Sequence, residues 1–252
     1  MNKLEICANS VASCVEAQKG GAYRVELCAA IPEGGTTPSY GEIAVARELL
    51  DINLHILIRP RAGDFLYSKT EHKIMLKDIS SARKLGADGV VIGCLTADGD
   101  IDMIRNKELI DAAQGMSVTF HRAFDMCRNP LENLEKIIAL GCDRILTSGQ
   151  QPKAEQGTDL IRQLIEKANK RIIIMPGSGI NENNIAHIAR ETGATEFHLS
   201  ARNPVPSGMQ YRNPNVSMGG IGIEINEYEQ NITDAEKVRK TLTQLKKTIN
   251  RF

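Results

Sequence analysis

LEIC, residues Leu4–Cys7, and YRVELC, residues Tyr23–Cys28, are brief apolar runs that both close in Glu-x-Cys. Strand side chains alternate faces, so Glu5 shares a face with Cys7, and Glu26 with Cys28. As neighbouring parallel strands, the two runs would bring two carboxylates and two thiols to one end of a sheet. A strand with an apolar body and an ionisable C-terminal tip belongs in a buried sheet whose C-terminal edge opens on a site.

Beyond these runs the same unit recurs. NSVASCVEAQKGG reads as a helix capped by Asn9 or Ser10 and stopped at Gly20 and Gly21. The Gly/Pro/Thr-rich AAIPEGGTTPSYGE is a long loop at a strand tip, and Ser39 with Glu42 forms a capping box for the helix running to Leu50. LHILIRP is a third strand, GVVIG a fourth, and SVTFHRAFD carries a fifth that ends at His121. RILTSG, RIIIMPGSG and TEFHLS supply three more, with Asn129, Pro130 and Glu132 starting one helix and Asn181 capping another. Residues 201–232 read as irregular, a lid or an oligomer contact, before a last helix boxed by Thr233 and Glu236 with an apolar stripe of Val238, Leu242, Leu245 and Ile249.

Eight strand–helix units in 252 residues predict a single-domain α/β chain over 1–252, folded as a (β/α)8 TIM-type barrel. A doubly wound open sheet is the alternative, because spacing does not close a barrel. Basic and acidic residues balance at 31 each, which gives no bulk attraction to nucleic acid or an anionic membrane. No apolar run reaches the ~20 residues of a membrane span, and the N-terminus enters a strand directly, so a cytoplasmic protein is expected. The six cysteines include no CxxC pair, which argues against a disulfide framework and a structural zinc knot.

The strand tips carry Glu5 and Cys7, Glu26 and Cys28, Arg59 and Arg61, Gly93, His121 with Arg122 and Asp125, Ser148, Ser178, and His198 with Ser200. Strand bottoms look far less polar, and this asymmetry points to one functional mouth. TSG (Thr147–Gly149) and PGSG (Pro176–Gly179, with Gly177 and Ser178) could let a backbone cradle hold a phosphate or carboxylate, the second leading straight into a helix; the plain alternative is two tight turns. Arg59 and Arg61 suit an anion, or else pair internally with Glu5, Glu26 or Asp64. His121 and His198 close strands at the glutamate end and suit acid–base work. His55, near a strand start, is read as structural, and His72 and His187 as solvated. Cys7 and Cys28 could together suit Cu(I), or be thiols packed under the mouth. Glu5, Glu26 and His121 could instead hold a divalent metal.

EICANS, RVELCAAIPEGGTTPS, ILIRPRAGDFLYS, TFHRAFD, RILTSG and the PGSG loop, in this order and followed by MQYRNP, resemble the signature stretches of the CutC family. The resemblance implies a TIM-type barrel, cytosolic Cu(I) handling with Cys7 and Cys28 as ligands, and dimers or larger assemblies, for which the Met209–Met218 stretch is a candidate contact. PGSG departs from the Gly-Ala-Gly version common in the family. Two functions are therefore expected. The first is copper homeostasis through Cys7 and Cys28. The second is an isomerase or lyase for a small phosphorylated or carboxylated metabolite, with Glu5 or Glu26 as base, His121 as acid, Asp125 and His198 nearby, and Arg59, Arg61, Asp64, Ser148, Gly149 and Gly177–Gly179 holding the anion. No nucleotide cofactor is expected.

Overall fold

Four of the strands are buried along their whole length, as a sheet covered on both faces requires. The structure, a computed structural model, describes residues 2–218 and 225–249, with the side chains of 248 and 249 left out. The side chain of Ile249 in the expected stripe and the 219–224 part of the expected irregular segment thus lie outside what the structure describes. Eight parallel strands run in chain order: β1 (Lys3–Ala8), β2 (Arg24–Leu27), β3 (Asn53–Leu57), β4 (Gly89–Ile92), β5 (Ser117–Phe120), β6 (Arg144–Thr147), β7 (Ile173–Pro176) and β8 (Glu196–Leu199). Between them lie α1 (Val11–Lys19), α2 (Tyr40–Leu49), α3 (Lys69–Lys84), α4 (Met103–Ala113), α5 (Pro130–Leu140), α6 (Thr158–Ala168) and α7 (Ile185–Thr192).

Neighbours in sequence are neighbours in the sheet from β1 to β7, and β8 returns to pair with β1 in the register Glu5↔His198. One parallel bridge, Gly177↔His198, joins β7 to β8 and closes the barrel. The open-sheet alternative is thereby excluded, and His198 sits on the seam. Along β1, Leu4, Ile6 and Ala8 face the helices and join the large apolar core, while Glu5 and Cys7 face the barrel interior.

That interior is not the expected apolar filling. Arg24, Glu196, Arg144, His55 and Glu5 are all buried inside the barrel. Arg24 pairs with Glu5 through Nε and with Glu196 through Nη2 at 2.8 Å, and Arg144 Nε lies 3.4 Å from Glu196. The expectation of sparse polar groups at the strand bottoms is therefore wrong. Barrel stagger draws the first residues of β2, β6 and β8 inward, where they neutralise one another. His55 fills space left by Gly89, whose Cβ would meet its Nε2 at 2.4 Å.

The stretch expected to be irregular contains a two-stranded antiparallel ribbon, β9 (Arg202–Pro206) with β10 (Glu229–Thr233). Pro204 and Pro206 read as loop signals, yet an isolated ribbon has outer edges that tolerate them. The ribbon docks on the first strand–helix unit through Asn9 Nδ2 to Asn231 O (2.8 Å) and Thr233 N to Ser13 Oγ (3.0 Å). It leads into α8 (Ala235–Ile249), whose Val238 packs over Gly20. Ser10 caps α1 and the Ser39–Glu42 box caps α2 as expected. Two other caps differ. Asn181 holds a turn before α7, which starts only at Ile185, and Asp234 rather than Thr233 receives the first amides of α8. His72 is buried and bonds Glu108 at 2.6 Å, against the expectation of a solvated side chain, whereas His187 is exposed. Among the described residues, no helix is long and apolar enough to cross a membrane, and all six cysteines are free.

Candidate metal centre

Parallel pairing of β1 with β2 aligns Cys7 with Glu26, so Cys28 lies one interior layer higher than Glu26. Cys7 Sγ and Cys28 Sγ face each other at 3.5 Å, and Cys28 Sγ also lies 3.4 Å from Ala8 O. The hydrogen bond shared with Cys28, together with His198 and Arg202, holds the Cys7 thiol well below the usual thiol range against the opposing effect of burial. Cys28, in the same hydrogen bond and buried, is pushed well above it. Arg202 Nη2 lies 3.4 Å from both Cys7 Sγ and Cys7 O.

His198 stands beside this pair. Its Nδ1 lies 2.7 Å from Glu5 Oε1 and its Nε2 3.5 Å from Glu26 Oε2. Burial opposes its protonation, but Glu26, Cys7 and Glu5 outweigh burial and hold its pKa well above the ordinary value. Burial, reinforced by Cys7 and Glu5 and opposed by His198, pushes Glu26 up to about 8. Glu5 is also opposed by burial, yet Arg24 and His198 keep it well below the usual carboxylate range. Cys7, Glu26 and His198 each offer one ligand atom, and these atoms lie within 4.8 Å of one another.

The three residues line a cavity of about 570 Å³ at the C-terminal mouth of the barrel, with Cys28, Arg59, Phe65, His121, Arg122, Asp125, Ser178, Gly179 and Arg202 among its other walls. Several sequence-predicted residues are turned elsewhere. Glu5 lies one layer below, linking His198 to Arg24. Arg61 bonds Glu71 at 2.6 Å and Asp64 at 2.9 Å, the internal pairing weighed from sequence, and neither Arg61 nor Asp64 faces the cavity. Arg59 donates Nη1 to Glu33 O and Gly35 O and Nη2 to Gly63 O, so it pins loops rather than any carboxylate among the described residues.

On the far wall, His121 Nδ1 accepts from Ala123 N at 3.2 Å, which leaves the ring proton on Nε2. Burial and the neighbouring Arg59 push its pKa down to about 3, so the ring is neutral. It packs at 4.9 Å against Phe65 and is not joined to Glu5 or Glu26. The trio of Glu5, Glu26 and His121 considered for a divalent metal is not assembled, because His198 holds the position beside the two glutamates. Asp125 lines the cavity but is saturated by Arg122 Nε (2.7 Å), Thr147 Oγ1 (2.5 Å), Ser148 N and Oγ, and Gln150 N. Ser148 is buried in that network.

The glycine loops serve close packing. A Cβ on Gly149 would meet Gly157 O at 2.3 Å, and one on Gly177 would meet Leu146 at 2.5 Å and His198 Cβ at 3.2 Å. Ser178 bonds Pro152 O and, with Gly179, lines the cavity. The PGSG loop does not lead straight into a helix, because the Asn181 turn intervenes. Sequence reasoning missed Arg202, whose only signal was a cation just past the last strand, and the pairing of His198 with both glutamates, which depends on closure.

The description "CutC family" matches residues 2–203. A CutC family protein of Bacteroides fragilis is 62% identical over 239 residues, covering 94% of this chain and 95% of that protein. The human copper homeostasis protein cutC homolog is 47% identical over 246 residues, covering 98% and 89%. The crystal structure of the copper homeostasis protein CutC from Streptococcus agalactiae superposes with a TM-score of 0.76 at 37% identity, covering 79% of this chain and 99% of that one. A thiamine phosphate pyrophosphorylase from Pyrococcus furiosus, at 17% identity and TM-score 0.59, shares the fold alone. The collinear motifs, the closed barrel and these relatives agree: the chain belongs to the CutC family, the copper homeostasis family.

Proposed function

We propose that the protein binds Cu(I) through Cys7 and Cys28 and serves copper homeostasis in the cytosol. The observation that carries this reading is the pair of thiols facing each other at 3.5 Å on adjacent strands, within the mouth cavity. Thiolate sulfur is the ligand type that Cu(I) prefers over harder donors. A bis-thiolate Cu(I) unit carries one negative charge, and Arg202 beside Cys7 offsets it. Names of relatives support the same direction: the human relative is called a copper homeostasis protein.

Competition between the protein and a chromophoric Cu(I) chelator under anaerobic conditions tests the proposal. One equivalent of Cu(I) is expected to transfer to the wild type, and far less to Cys7→Ser or Cys28→Ser. Undiminished one-to-one binding by the double variant would refute it.

A further inference from the structure

We infer that the mouth holds a second, harder metal-binding mode, in which Cys7, Glu26 and His198 take a divalent ion of the zinc class. It goes beyond the copper reading and shares only Cys7 with it. One sulfur, one carboxylate oxygen and one imidazole nitrogen form a mixed donor set of the kind zinc accepts, unlike the all-sulfur pair of Cys7 and Cys28.

Spacing favours this trio. Zinc bond lengths of about 2.0–2.3 Å in a tetrahedron put ligand atoms about 3.3–3.8 Å apart. Glu26 Oε2 and His198 Nε2 already stand at 3.5 Å, and no pair in the trio exceeds 4.8 Å. Small side-chain rotations therefore complete the site.

The surroundings of His198 argue in the same direction. Metal-binding histidines regularly give their other ring N–H to a carboxylate, which fixes the tautomer and aims the free nitrogen at the ion. Here Glu5 performs that part at 2.7 Å from Nδ1, is itself held by Arg24 on its other oxygen, and leaves Nε2 directed at Glu26. Nothing in a two-cysteine copper site calls for this buried Arg24–Glu5–His198 chain. Because all three ligands line the cavity, the remaining coordination position opens on that cavity. A site with three protein ligands and an open position is the arrangement of zinc that handles a small molecule, rather than zinc that only holds a fold. Since Cys7 belongs to both donor sets, Cu(I) and Zn²⁺ exclude each other.

Co²⁺ titration followed by Zn²⁺ competition is the test, with Cu(I) binding measured on the same preparations. The wild type is expected to give one sulfur-to-cobalt charge-transfer band, removed by Zn²⁺. Loss of a second-shell partner weakens metal binding about 10–100-fold, so loss of a ligand costs at least about tenfold. Glu26→Gln and His198→Gln are expected to weaken Zn²⁺ by that factor while keeping Cu(I). Cys28→Ser is expected to keep Zn²⁺ and lose Cu(I), and Cys7→Ser to lose both. Glu26→Gln, which leaves the hydrogen bonds of Arg24 and Glu5 in place, keeps the test decisive if His198→Gln does not fold. A wild type that binds Cu(I) but no Zn²⁺ or Co²⁺ would overturn the inference and leave the copper reading standing. Unchanged Zn²⁺ affinity in Glu26→Gln, or loss of Zn²⁺ in Cys28→Ser, would also overturn it. Zn²⁺ binding without Cu(I) binding would uphold it and remove the copper reading.

Discussion

His198 Nδ1 lies 2.7 Å from Glu5 Oε1 across the seam where β8 meets β1. The same carboxylate meets Arg24 through its other oxygen, so a buried chain of charge runs from the barrel floor to its mouth.

Glu5→Gln breaks that chain and leaves Arg24 with Glu196 as its remaining carboxylate neighbour. Removing one partner of a buried ion pair costs about 3–5 kcal/mol. A fall of that order is expected in urea unfolding near pH 7, and a change below about 1 kcal/mol would contradict the role assigned to Glu5.

Cys7 is expected to react with iodoacetamide at a pH where ordinary thiols are inert, because the hydrogen bond shared with Cys28 and the charges of His198 and Arg202 favour its ionised form. Mass-spectrometric mapping of alkylation against pH reads the inflection. Cys28→Ala removes the leading cause and should move the inflection upward, and Arg202→Leu should do so by less. An inflection at the ordinary thiol value in the wild type would contradict the lowering of Cys7 by its neighbours.

Burial keeps His55 and His121 neutral, each pushed down to about 3 from an ordinary 6.5. With folded values below unfolded ones, the stability they contribute is complete above about pH 6.5 and is lost as pH falls toward 3. Each adds up to about 1.4 kcal/mol per pH unit to that slope. Urea midpoints between pH 7 and 4.5 should fall less steeply in His55→Gln and His121→Gln than in the wild type. Equal slopes would place the acid sensitivity elsewhere.

Gly93→Ala would set a Cβ 2.6 Å from both Cε1 and Nδ1 of the buried His121 ring. Overpacking of this kind costs roughly 1–3 kcal/mol. Truncating the ring in Gly93→Ala/His121→Ala should make the added methyl markedly less costly relative to His121→Ala alone, the approach to Ala123 Cβ at 3.1 Å remaining. An equal penalty in both backgrounds would show that the ring is not what Gly93 accommodates.

The strand–helix alternation was readable because each unit carries its own local signals: the Ser39–Glu42 box, the glycine stops and the apolar strand bodies all act over a few residues. Alternation and adjacency of β1 and β2 put Cys7 and Cys28 on one face, but whether the two thiols meet was left open by the sequence, because it depends on the β1–β2 register. The inward position of Arg24, Arg144 and Glu196 at the strand bottoms carries no local signal, because it depends on barrel stagger. The β9–β10 ribbon was missed because its prolines obey edge rules that apply only when the partner strand, far along the chain, is known.

Residue order alone thus determined the repeating architecture and the end of the sheet where reactive groups gather, since strand periodicity and helix punctuation are local. Barrel closure settled the rest. Bringing β8 against β1 placed His198 between Glu5 and Glu26, while His121 stands on the far wall against Phe65. Which imidazole meets which carboxylate depends on contacts between opposite ends of the chain, and only packing in three dimensions makes those.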